Sequence, residues 1–135
     1  MMRQATALLK KGKVYIQSYS KTTGGAWIAQ APVHVASVDE VVQIGQYVRE
    51  ALMHSRQGIP HPKQSEEWKA IQAPMLEATG ARSWGAMVKG SKVVGLECDN
   101  GTRVTMTPAE NYEIHTELSA DDIGEKLIAA FNAAS

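Results

Sequence analysis

The 135 residues are 44% hydrophobic and 21% charged with a formal net charge of zero at pH 7, which argues against disorder and against a chain whose average field draws in nucleic acid or a membrane surface. A single cysteine, Cys98, excludes an internal disulfide, no apolar run approaches the roughly 18 residues needed to cross a bilayer, and the opening MMRQATALLKKGK is too poor in apolar residues for a secretory signal. One domain spanning 1–135, in the cytoplasm, is the expectation. The charge is unevenly spread: residues 1–63 hold eight lysines and arginines against three acidic residues, whereas residues 97–135 hold two against eight. The C-terminal third is therefore an acidic module, either a solvated surface or a docking face for a basic partner.

In chain order, Lys13 to Ser20 alternates Val14 and Ile16 with Tyr15, Gln17 and Tyr19 and reads as a strand. Thr22-Thr23-Gly24-Gly25 reads as a turn, and Ala26 to Val35 as a second strand. Pro32 cannot donate to a ladder and belongs there at a bulge, an edge or the strand end. Ser37, with Glu40 three residues on, forms a capping-box pattern for a helix carrying Val41, Ile44, Val48 and Leu52 on one face and closed by Gly58. Ile59 to Gln64, with Pro60 and Pro62, reads as a linker. Ser65 then caps a helix with Glu66 and Glu67 in its first turn and Trp68, Ile71 and Met75 inward; Pro74 predicts a kink near Ala73 and Gly80 an end. Ser83 to Lys89 fits a short helix with Ser83 as cap, or another strand, and its periodicity favours the helix.

The clearest strand pair lies at Lys92 to Cys98 and Arg103 to Thr107, where Val94, Leu96, Cys98, Val104 and Met106 alternate with polar residues around Asp99-Asn100-Gly101. A two-residue turn would place the two apolar rows on opposite faces. A three-residue loop with a left-handed Gly101 bulge instead pairs Cys98 with Thr102, Leu96 with Val104 and Val94 with Met106, and sets Glu97 opposite Arg103. Pro108 breaks the strand, Tyr112 to Leu118 forms another with Tyr112 and Ile114 inward, and Ser119 caps a last helix with Asp121 and Asp122 in its first turn and Ile123, Leu127, Ala130 and Phe131 as its stripe. This order predicts an α+β fold, an antiparallel β-sheet with helices packed mainly on one face.

Catalytic motifs fail on physical grounds. Gly90 to Gly95 has the glycines of a phosphate loop, but Leu96 and Glu97 stand where lysine and a hydroxyl should meet phosphate and magnesium. Ala81-Arg82-Ser83-Trp84-Gly85 lacks the first glycine and the preceding strand of a nucleophile elbow. His34, His54, His61 and His115 show no paired metal-ligand spacing, and Cys98 reads as a buried hydrophobe. Glu110, Glu113 and Glu117 could pair for acid–base work but have no matching base. Trp27, Trp68, Trp84 and Tyr112, which could stack single-stranded bases, are dispersed among apolar residues and read as core.

Four pieces resemble one family: Ala73-Pro74-Met75-Leu76-Glu77-Ala78-Thr79-Gly80 running into Ala81-Arg82-Ser83-Trp84; Met87-Val88-Lys89-Gly90; Thr105-Met106-Thr107-Pro108 with Asn111; and Ala120-Asp121-Asp122-Ile123-Gly124-Glu125-Lys126-Leu127. In that order they are similar to CdiI-type immunity proteins of bacterial contact-dependent growth inhibition (CDI). Residues 1–60 share only the strand-strand-helix layout. The resemblance implies a small cytosolic protein that binds one to one the C-terminal toxin domain delivered by a neighbouring cell, commonly a nuclease, and neutralises it, with no enzymatic activity or cofactor. The matched residues are structural and do not identify the toxin.

The acidic module fits that expectation, because a nuclease presents a basic cleft to phosphates and an acidic face can cover it. The candidate toxin-binding residues are Glu97, Asp99, Glu110, Glu113, Glu117, Asp121 and Asp122, with Tyr112 as an aromatic anchor. Asp121 and Asp122 have a competing role as helix-start charges, and Glu97 as the partner of Arg103. The alternatives are a small nucleic-acid-binding module using Lys10, Lys11, Lys13 and Lys21, and a small hydrolase; no membrane and no direct nucleic-acid partner is expected.

Overall fold

The computed structural model describes residues 2–98, 103–109, 112–117 and 120–134. Its elements are β1 (Arg3–Lys10), β2 (Lys13–Thr22), β3 (Trp27–Ser37), α1 (Val41–His54), β4 (Gln57–Ile59), α2 (Ser65–Thr79), α3 (Trp84–Val88), β5 (Lys92–Cys98), β6 (Arg103–Ala109), β7 (Tyr112–Glu117) and α4 (Ala120–Ala133). Six strands form an antiparallel sheet in the order β3-β2-β1-β5-β6-β7, and short β4 pairs in parallel with the end of β2. The fold is α+β, as expected.

Sequence patterning misses short β4 and also β1, which lies in the middle of the sheet, between β2 and β5. The alanines and leucines of β1 carry little strand propensity. They fit because small Ala5 and Ala7 let two helices approach one face while Leu8 packs on the other. The turn to β2 is Lys11-Gly12, both at positive φ, 51° and 76°, the mirror-image turn whose twist suits a two-residue hairpin.

Alternation then divides every strand between two faces. On one, Ala5, Ala7, Val14, Ile16, Val94, Leu96, Cys98, Val104 and Met106 meet Ile44, Val48, Ala51 and Leu52 of α1 and Ile123, Leu127, Ala130 and Phe131 of α4 in the main core. Large side chains fully buried in such a core each contribute roughly 1.5–3 kcal/mol. The two helices cross closely at Gly124, where a Cβ would collide with the backbone carbonyl of Val41. The packing is mainly one-sided, as the alternation predicts, but the other face is not bare. There α2 and α3 build a satellite cluster in which Met75 and Met87 cover Leu8 and Tyr15.

Several local expectations are corrected. The β5–β6 pairs are Cys98 with Val104, Leu96 with Met106 and Glu97 with Thr105, two residues from the predicted register. A two-residue slip keeps every apolar side chain on its face, so the hydrophobic pattern cannot detect it. Glu97 thus does not face Arg103, which pairs with Glu117 instead. The bulge expected at Gly101 and the cap at Ser119 lie outside the described residues. β6 continues through Pro108 to Ala109, although its pairing with β5 stops at Thr107. This is consistent with a proline that brings no donor.

α1 starts at Val41, not after Ser37. Glu40 accepts from the Ser37 amide at 2.9 Å, and the Ser37 hydroxyl accepts from the Asp39 amide at 3.4 Å. This local turn competes with helix for the same donors. The helix ends at Ser55, whose buried hydroxyl donates to the Tyr19 carbonyl and accepts from the Gln4 amide at 3.0 Å; Gly58 lies in β4 at φ 77°. Ser65 is the first helical residue of α2 and Gln64 the cap, with Glu67 reaching back to the Lys63 amide at 2.6 Å. Those backbone donors hold the Glu67 carboxyl below its ordinary range. Pro74 does not break α2, which runs through it. The donor it lacks would have met Ala70, on an exposed turn where water can serve the carbonyl. Gly80 at φ 72° closes α2, and Ser83 caps α3 by accepting from the Ala86 amide at 3.2 Å, as predicted. Pro32 sits in edge strand β3 opposite the register break at Gln17/Ser18, following a cis Ala31–Pro32 bond.

Candidate functional site

The satellite face carries the site because α2 and α3 cover only part of it. Cross-strand register lays out its floor. Tyr19, Gln4, Glu97 and Thr105 form one row across β2, β1, β5 and β6, and Gln17, Thr6, Gly95 and Thr107 form the next. The first row is polar and the second mostly small. Gly95, in the central part of the sheet, contributes no side chain at all, and a Cβ built there would have only the Thr107 carbonyl within reach, at 4.0 Å. A cavity of about 340 Å³ results, lined by Gln4, Thr6, Tyr19, Trp27, Gly95, Glu97 and Thr107.

A second cavity of about 190 Å³ adjoins it, sharing Tyr19 and Trp27, with Trp68, Ile71 and Gln72 of α2 and Trp84 of α3 as its wall. All three tryptophans of the chain therefore line one groove. None belongs to the buried core: Trp27 and Trp84 are half-buried and Trp68 is 40% exposed. This corrects the reading of the tryptophans as core. Their positions 27, 68 and 84 are far apart in sequence, and only the folding of α2 and α3 over β2 and β3 joins them. An exposed indole held at the rim of a concave surface is a feature of recognition sites. Trp68 and His61 meet nearly perpendicular, ring centres 5.5 Å apart, and His61 is itself held by Thr22 Oγ1 at 2.7 Å from Nδ1.

Glu97 is half-buried on the groove floor, its Oε1 accepting from Gln4 Nε2 at 3.1 Å. Among the described residues it is the one charged side chain lining the two cavities. The Tyr19 hydroxyl is pushed above its ordinary pKa by burial, an effect that the hydrogen bond with Thr6 partly offsets. Deeper in the same row as Thr6, the fully buried amide of Gln17 has no hydrogen-bond partner. Such a group costs about 1–3 kcal/mol.

Of the other predicted site residues, Asp122 is exposed on the first turn of α4. Tyr112, Glu113 and Glu117 lie on β7, where Glu117 pairs with Arg103 and Tyr112 with Ala109, and Asp121 lies in α4. Asp99 and Glu110 lie outside the described residues. Among the described residues, Glu97 is thus the predicted residue that the groove contains. The aromatic wall has no local signal in the sequence.

Among the described residues no three histidine, cysteine or acidic side chains converge as a metal site would require. His34 stacks on Tyr47 with ring centres 4.8 Å apart and lies 3.9 Å from Glu50, while Cys98 is buried in the main core. No described helix is long and apolar enough to cross a membrane. No protein-family model and no curated protein matches the sequence.

Solved structures do match the fold over the whole of this chain. One is a protein of unknown function from Neisseria meningitidis, with a TM-score of 0.80 and 17% identity over 96% of that chain. Another is a chain of the CdiA-CT/CdiI toxin and immunity complex from Yersinia pseudotuberculosis, with a TM-score of 0.76 and 17% identity over 98% of that chain. This chain shares the fold of a toxin–immunity component. At that identity the likeness is one of architecture, and the site must be argued from its own residues.

Proposed function

We propose that this chain is an immunity protein of the contact-dependent growth inhibition type, which binds the C-terminal toxin domain of its cognate system one to one and neutralises it by covering the active site or substrate-binding surface. The observation that carries the reading is the match, over the full chain, to a component of a toxin and immunity complex. The similarity of residues 73–127 to the immunity proteins supports the same side of that complex, as does the acidic C-terminal third. A nuclease is the toxin class that an acidic partner suits, since its substrate cleft is basic. The function so proposed is binding rather than catalysis, exercised in the cytoplasm where a delivered toxin acts. The groove, with a carboxylate and no lysine or arginine among its described lining residues, is a poor track for a phosphate backbone.

The test is co-expression with the C-terminal domain of a large secreted protein encoded beside this chain. Co-purification of the two and protection of the host from that domain are the expected results; a toxic domain that neither co-purifies nor is neutralised would overturn the proposal. Within the same assay, combined Glu113→Lys and Glu117→Lys should weaken protection with the melting temperature nearly unchanged. Full protection by that variant removes both residues from the interface.

A further inference from the structure

We propose that the groove between the α2–α3 wall and the β1–β5–β6 floor is an arginine-accepting socket for the partner protein, with Glu97 as its acceptor and Trp27, Trp68, Trp84 and Tyr19 as its stacking surface. The proposal rests on the toxin-binding reading and gives one member of the acidic C-terminal third, Glu97, a specific contact within it, set among aromatic side chains from elsewhere in the chain.

Three observations lead to a guanidinium. The lining combines several aromatic side chains with one half-buried carboxylate and no cation among the described residues. Aromatic faces attract cations through their quadrupole, and a carboxylate partly withdrawn from water pairs more strongly than one on an open surface. One oxygen of that carboxylate is already fixed by Gln4, at 3.1 Å. The group is thereby oriented, and among the described residues its second oxygen has no side-chain donor, so it can receive one. Finally, the strip formed by Thr6, Gly95 and Thr107 admits depth, since the central residue has no side chain and the outer two are small. Arginine uses all of these at once: its planar head stacks on an indole while donating in the plane to carboxylate and hydroxyl oxygens, and its methylene stem covers apolar surface. Lysine offers a compact, strongly hydrated charge that stacks less well, and a neutral side chain leaves Glu97 without an ionic partner.

The socket also separates two tasks at the partner's surface. An acidic face steers a basic domain over a distance and loses strength as salt screens it, whereas a concave pocket that excludes water fixes register and slows dissociation. A central aromatic anchor beside a charged periphery is how binding energy is commonly distributed across interfaces.

The experiment titrates the full chain with N-acetylarginine amide and with its neutral isostere N-acetylcitrulline amide, following the indole N–H resonances of the three tryptophans by NMR. Saturable shifts with the arginine compound, about tenfold weaker with citrulline and lost in Glu97→Gln, are expected. Equal shifts with the two compounds, or none with either, overturn the socket. In parallel, Glu97→Gln, Trp68→Ala and Gly95→Phe are measured against the toxin domain. Each should raise Kd about tenfold or more with little change in melting temperature. Trp68→Ala, at an exposed position, keeps the test valid should Gly95→Phe fail to fold. If wild type binds the toxin domain and all folded groove variants bind equally well, the socket is overturned and the immunity reading stands. If wild type binds no toxin domain, the immunity reading falls and the titration alone decides the socket.

Discussion

The two faces of the sheet are made by the same strands and differ in nearly everything else. On the α1–α4 face, neighbouring rows are apolar, the helices touch at backbone distance, and the largest side chains are fully buried. On the α2–α3 face, the rows alternate between polar and small residues, the buried cluster holds four members, and a groove stays open. The tightly packed core and the open groove are thus separated by the pleat, one residue apart along each strand. Tyr19 and Glu97 can line the groove because Ser18 and Leu96, their neighbours, point toward the core side.

Substitutions can break that division. The largest effect is expected at the helix crossing: Gly124→Ala forces a methyl group into the Val41 carbonyl and should cost about 3 kcal/mol in denaturant unfolding, the upper part of the range for overpacking. An effect below about 1 kcal/mol would show that α1 and α4 can part without loss, contrary to the rigid face described. Met87→Ala, in the satellite cluster, should cost about 2 kcal/mol, at the low end for a buried methionine because the site lies near the groove and can relax. If it costs more than Gly124→Ala, the assignment of stability to the first face is reversed.

The smallest effect is a pH dependence. Burial raises the Tyr19 pKa in the folded state, more than the Thr6 hydrogen bond lowers it. The stability linked to this phenol is therefore complete below about pH 10, the value for an exposed tyrosine, and is lost as pH rises through the higher folded value. Above about pH 10 the melting temperature of wild type should fall more steeply than that of Tyr19→Phe. Superimposable profiles would mean that Tyr19 ionises as freely in the groove as in the unfolded chain.

Much of the first face was legible in the sequence, and for a physical reason. The 3.6-residue stripe Ile44, Val48, Leu52, the stripe Ile123, Leu127, Phe131 and the two-residue alternation about Leu96 and Val104 each record which side meets the core. The same code is blind to a shift of two, and for that reason the hairpin faces were right while the Glu97–Arg103 pairing was not. β1 escaped because Ala5 and Ala7 serve helix approach rather than strand propensity. The groove was harder still. Its members come from β1, β2, β3, β5, β6, α2 and α3, so no window of the chain contains it, and Gly95 contributes by what it lacks. Glu97 was singled out for its charge, and the structure supplies a different setting for it: a neighbour in Gln4 and a floor shared with tryptophan.

The gathering of Trp27, Trp68 and Trp84 at one groove also decides what light emitted by this protein can report. The main core is built without a single indole, so intrinsic tryptophan emission observes the α2–α3 side and is silent about the α1–α4 side except through global unfolding. A change in emission while backbone ellipticity holds steady is then a local signal, from the groove proposed to receive a partner rather than from the framework that holds it.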